Sequence, residues 1–226
     1  MQVFNGIDFE MNAAEIRRRL GVSKESEEWK NIQDLMQEMD EVIQARAVYK
    51  PCYIQQKDGE SVAIEDISFS SKVLRKNLEE VERTFPFVVT LGQKVDDRLK
   101  HEDDFLQQYY LDTIANVALQ DVLKRLCSCL QDAFKIEKLS YMSPGSLQDW
   151  PIEQQRPLFT LLGNVEEEIG VRLAPSMLMY PSKSESGMFF PTEVTFLNCQ
   201  LCPHENCPSR KAAFDEEKAK AYGVLE

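Results

Sequence analysis

A chain of 226 residues fits one large domain or two small ones, since domains run to about 100–150 residues each. Hydrophobic residues make up 43% and charged residues 28%, the balance of a folded globular chain and not of a disordered one. Acidic residues outnumber basic ones by 38 to 26, for a net charge of -12, and so acidic a surface repels phosphate backbones and argues against free nucleic acid as a partner.

The N-terminal MQVFNGIDFEMN has neither a basic leader nor an apolar core segment. The apolar stretches fall short of the ~20 residues that a membrane crossing needs. A cytoplasmic location with no membrane partner is the expectation. Asn12 caps a helix over Ala13–Leu20, and Gly21 offers a stop. Ser23 opens a longer helix reaching about Val48, with Trp29, Ile32, Leu35, Met36 and Met39 at three- and four-residue steps on one buried stripe. From Val48 to Ser70 the pattern turns strand-like, with a hairpin about Lys57-Asp58-Gly59.

A short amphipathic helix over Ser71–Glu82 precedes a buried strand, Phe87–Gly92. A weak helix over Lys94–Leu99 and an acidic patch lead into the longest helix, Phe105–Phe134. Tyr141-Met142-Ser143-Pro144-Gly145-Ser146 reads as a strand entering a Pro-Gly turn. Helices over Leu158–Leu162 and Val165–Ile169 follow, and then strands over Ser176–Tyr180 and Gly187–Phe190, joined by the polar linker 181–186. Helices and hairpins first, then strands around a helical insert, is not the alternation of a parallel α/β fold. The expected class is α+β, a mainly antiparallel twisted sheet flanked by helices. Residues 1–50 form a helical part, 51–198 the α+β core and 199–226 a cysteine-rich tail.

Two constellations carry chemistry. In Ser143-Pro144-Gly145-Ser146, proline fixes one backbone angle and glycine permits a positive one, so the turn can present backbone N–H groups to a ligand. Ser184-Glu185-Ser186-Gly187 reads as a second loop, and neither segment is a nucleotide-phosphate loop. In the tail, Cys199, Cys202 and Cys207 follow C-x2-C-x4-C, a spacing at which thiolates converge on an iron–sulfur cluster, or on zinc with His204 as the nearest fourth ligand. Cys127 and Cys129 cannot grip one ion from a regular helix. Glu102–Asp104 and Glu166–Glu168 read as solvated charge, His101 as an exposed loop residue and Trp150 as a core plug.

Taken in order, Ser143-Pro144-Gly145, the Leu158–Leu162 helix, Ile169-Gly170-Val171-Arg172-Leu173, and Leu173, Ser176, Met179, Pro181, Ser184, Ser186, Gly187 and Phe190 spaced as L-x2-S-x2-M-x-P-x2-S-x-S-G-x2-F resemble the activation domain of cobalamin-dependent methionine synthase. The resemblance implies that domain's fold and an S-adenosylmethionine cleft lined by Tyr141, Ser143, Pro144, Gly145, Ser146, Ser184, Ser186 and Gly187. In the family an arginine stands four residues before the turn glycine and a tyrosine just after it; here those positions hold Tyr141 and Ser146.

The function the resemblance implies is reductive activation of a corrinoid-dependent methyltransferase. The corrinoid would be carried by a partner, because this sequence has no D-x-H-x2-G motif. The cysteine centre would pass the electron, a role that the resemblance itself does not supply. The alternative is a non-enzymatic module that docks a corrinoid protein or methyltransferase and carries a structural metal. A small S-adenosylmethionine-dependent methyltransferase would need a glycine-rich strand–loop–helix that is missing.

Overall fold

The computed structural model describes residues 1–204, 206–207 and 210–225. Strand β6 (Arg83–Thr90) is the axis of the sheet. Seven of its eight residues are buried, which requires both of its faces to be covered. Along one edge it pairs antiparallel with β10 (Ser184–Pro191), Phe85–Thr90 lying opposite Ser184–Phe189. The outer edge of β10 pairs antiparallel with β7 (Leu139–Met142), while β8 (Arg172–Leu173) and β9 (Met179–Tyr180), the end of the expected 176–180 strand, form a separate antiparallel pair.

On the other edge of β6 lie β2 (Arg46–Tyr49) and then β3 (Cys52–Asp58), joined through Pro51. The Lys50 N–H donates to the Pro86 carbonyl (3.1 Å) between them. β3 then leaves β6 to pair with β4 (Ser61–Ile64), and β4 with β5 (Ile67–Ser70), while β1 (Gln2–Asn5) pairs with β2. This branching curls the sheet, and every one of these pairings is antiparallel.

Strand alternation divides the core into two layers. Phe85, Phe87, Val89 and Phe189 face a layer of α1 (Ala13–Leu20), α2 (Glu27–Val42), α4 (Gln93–Lys100) and α5 (Phe105–Phe134). Val88, Met188 and Phe190 face α3 (Lys72–Asn77), α6 (Gln155–Leu162) and α7 (Val165–Ile169), with Trp150 fully buried among them. The tail joins this second layer through Phe196, Leu201 and Ala219, the last on α8 (Glu216–Ala221). Helix α5 begins where Asp104 accepts the Leu106 and Gln107 N–H groups and ends at Lys135 in the left-handed region. None of the helices among the described residues is long and apolar enough to cross a membrane.

Three expectations change. The second helix is capped by Ser26, three residues later than Ser23, and ends at Val42; residues 46–49 are drawn instead into the sheet by pairing with β6. Residues 1–50 therefore supply two strands besides helices, including a strand at Gln2–Asn5 that their pattern did not signal. Residues 184–186 are not linker but the first half of β10. Their polar side chains are compatible with a buried strand because each finds a polar partner in the fold.

Candidate functional site

The Pro-Gly turn lies at the exit of β7. Gly145 has φ 84, a left-handed conformation that glycine adopts without penalty, and Pro144 is buried beneath it. The turn closes on itself. The Ser146 N–H donates to Ser143 O (3.1 Å), the Gly145 N–H to Trp150 O (2.7 Å), and the Ser146 hydroxyl also donates to Ser143 O (2.6 Å). The amides of Gly145 and Ser146, expected to face a ligand, are thus consumed within the 143–150 loop. What the turn offers outward is side chains. Asp149 anchors the same loop to the start of α3 by accepting from the Ser71 hydroxyl and from the Lys72 and Val73 N–H groups (3.2 and 3.0 Å).

β10 carries the second set, and alternation sorts it. Ser184 and Ser186 point to one face: Ser184 Oγ lies 2.7 Å from Pro181 O and 2.9 Å from Thr90 Oγ1, and the buried Ser186 hydroxyl donates to Gln155 Oε1 (3.1 Å). Both serines are occupied structurally. Gly187 is a close-approach residue, since a Cβ there would sit 2.5 Å from Met142 O and 2.8 Å from Phe87 Cζ. It lets β7 and a core ring press against β10.

Glu185 points to the opposite face and was not among the expected site residues. Its Oε1 accepts from the Ser143 hydroxyl (3.1 Å). Burial pushes its carboxyl above the usual range, while the Lys211 charge and the Ser143 bond pull the other way. Tyr141 shares this face, edge-on to Phe87 (6.0 Å) and tilted against Phe189 (5.5 Å). Burial first, and then the neighbouring Glu185, Cys199 and Cys127, raise its phenol, which stays protonated.

The tail closes over these residues. Lys211 Nζ donates to Tyr141 Oη (3.3 Å) and lies 5.8 Å from its ring centroid. Asn198 Nδ2 donates to Ser146 Oγ (2.7 Å), and Asn198 Oδ1 is buried with no partner among the described residues. Both positions at which this sequence departs from the family pattern, Tyr141 and Ser146, are therefore touched by the tail. One guanidinium gives the tail its shape. Arg210 Nη1 donates to Cys199 O (2.9 Å) and Ala212 O (2.8 Å), and Nη2 to Cys202 O (2.8 Å) and His204 O (2.7 Å).

This arrangement does not gather the expected thiolate centre. Cys199 Sγ accepts the Lys211 N–H (3.4 Å) on the Tyr141 side, whereas Cys202 packs against the apolar second layer. Among the described residues no three Cys, His, Asp or Glu side chains are grouped closely enough to hold an ion. Cys199, Cys202 and Cys207 in this geometry do not fit an iron–sulfur cluster or zinc, and no electron step is routed through them. The Arg210 charge is spent on carbonyls. A cavity of ≈ 1090 Å³ lies away from the turn, lined among others by Tyr53, Arg83, Lys138, Thr192 and Tyr222, and includes none of the expected site residues.

A polar row continues from Glu185 through Lys183 and Ser182, just before β10, to α5 and α4. Lys183 Nζ bonds Asp112 Oδ1 (2.6 Å) and Asn116 Oδ1 (2.8 Å), and Asp96 Oδ1 accepts the Ser182 N–H (2.8 Å) and hydroxyl (2.6 Å). Glu185 was legible in principle. It sits between two serines on a strand, so two-residue parity sets it on the other face. Asn198 and Lys211 carried no sequence signal, because only the folded tail brings them to the turn.

No family model matches the chain, and no curated protein matches it. Among solved structures, the crystal structure of the MetH reactivation domain bound to AdoHcy matches with a TM-score of 0.63 at 13% identity, covering 88% of this chain and 82% of that one. The curled antiparallel sheet with its flanking helices is the fold of that reactivation domain.

Proposed function

We propose that this protein is a reactivation factor for a corrinoid-dependent methyltransferase system, holding an S-adenosyl ligand at the 143–146 turn while it docks a corrinoid-carrying protein. The observation that carries the reading is the cluster of Tyr141, Ser143, Glu185, Asn198 and Lys211 at the turn, on the fold of a domain whose crystal structure holds AdoHcy. The adenosyl ligand supplies a methyl group on a sulfonium and leaves as AdoHcy. This chain binds and orients, and the metal chemistry belongs to the partner's corrinoid. Glu185 offers the carboxyl that faces the ligand's cationic end, and the protonated Tyr141 phenol offers a neutral donor beside it.

The test supplies a corrinoid protein in its inactive cobalt(II) state with a low-potential reductant and S-adenosylmethionine, and follows loss of the cobalt(II) absorption with and without this chain. Acceleration that depends on both this chain and S-adenosylmethionine is expected. An unchanged rate would sink the proposal. Binding of the corrinoid protein without acceleration would leave a docking module in its place.

A further inference from the structure

We infer that Lys211 anchors the carboxylate of an α-amino-acid ligand at this site, so that the C-terminal tail completes the binding pocket. The inference rests on the adenosyl reading above and names the residue that would give it specificity.

The position four residues before the turn glycine holds a tyrosine, which supplies a donor but no charge. The structure brings a cation there from seventy residues away, with Lys211 Nζ 3.3 Å from Tyr141 Oη. Among the described residues Lys211 makes no ion pair. The neighbouring cations are committed elsewhere, Arg210 to four carbonyls and Lys183 to Asp112 and Asn116. Among the described residues at the turn, Lys211 is thus the cation left to meet a ligand anion.

Its placement is built. Its backbone N–H is tied to Cys199 Sγ, and the preceding residue is the guanidinium that gathers the loop. Glu185 lies close enough to feel the ammonium charge. A cationic group bonded to Tyr141 and a carboxyl bonded to Ser143, two residues further along the same chain segment, match the two ends of a zwitterion, carboxylate to Lys211 and ammonium to Glu185.

Calorimetric titration with S-adenosylmethionine and with its decarboxylated analogue, which lacks only the carboxylate, tests this on the full chain. Lys211→Met should weaken S-adenosylmethionine binding by about tenfold or more, the effect of losing one charge-assisted contact. The same substitution should leave the decarboxylated analogue within about twofold, and Lys211→Arg should retain binding to within roughly threefold. Unchanged affinity in Lys211→Met, or equal weakening for both ligands, overturns the assignment while leaving the adenosyl reading intact. A wild-type chain that binds neither ligand overturns both.

Discussion

Ser143 and Glu185, 42 residues apart, meet across the β7–β10 pairing, the hydroxyl donating to Oε1 at 3.1 Å. The carboxyl is also partly stripped of water, and this burial raises its folded pKa above the unfolded value. A raised acid binds more protons in the native state than in the unfolded one between those two values. Its effect therefore favours the fold at low pH and is lost as pH rises through the folded value. Glu185→Gln keeps an acceptor for Ser143 and removes the titration. Thermal melts should show the variant gaining on the wild type at pH 8 and converging with it near pH 4, and a parallel pair of curves would contradict this.

Position 187 has no room for a side chain. A methyl group there meets a strand carbonyl at 2.5 Å and a buried ring at 2.8 Å, and neither is the free end of a flexible chain. Gly187→Ala should destabilise by about 1–3 kcal/mol, the usual cost of overpacking. Melting would then fall by roughly 2–4 °C per kcal/mol at this chain length. Gly145→Ala places its methyl 2.7 Å from the flexible Ile152 Cδ1, so strain at φ 84 and not a rigid clash sets its cost.

Asp149 ties the turn loop to α3 through two backbone amides and the Ser71 hydroxyl. Removing it strands helix-start donors, so Asp149→Ala should cost about 1–2 kcal/mol, as loss of a cap does. Denaturant midpoints measure this. Asp149→Asn, which still accepts a bond, should recover part of the loss.

Thiol reactivity should divide sharply. Burial pushes Cys52 and Cys127 up to about 11, which leaves little thiolate at neutral pH, while Cys129 is exposed. Timed alkylation with peptide mapping should label Cys129 first and the half-buried Cys127 more slowly, and reach Cys52 only on unfolding. Early labelling of Cys52 would contradict the burial.

Long periodic segments were legible from sequence. The helix over Phe105–Phe134 has the bounds its apolar stripe suggested, and Asn12, Gly21 and Ser71 act as the signals their types imply. The α+β class followed from element order, and Trp150 is the core plug it was read to be. Short strands were less legible, because pairing and not local pattern creates them. Residues 184–186 read as linker because their polar side chains find their partners, Thr90, Ser143 and Gln155, only in the folded chain. Around the 143–146 turn the resemblance pointed to backbone amides, but these are used internally, and the polar side chains that gather there are those of Glu185, Asn198 and Lys211. Spacing made the cysteines a plausible ligand set, yet spacing does not fix side-chain direction, and the fold sends Cys199 and Cys202 to different neighbours.

Because a single guanidinium grips the carbonyls of Cys199, Cys202, His204 and Ala212, these four points are drawn together like a purse shut on one string. The positions of Asn198 and Lys211 are not independent of each other, and evolution could retune what lies over the 143–146 turn by altering the knot alone, without touching either strand beneath it.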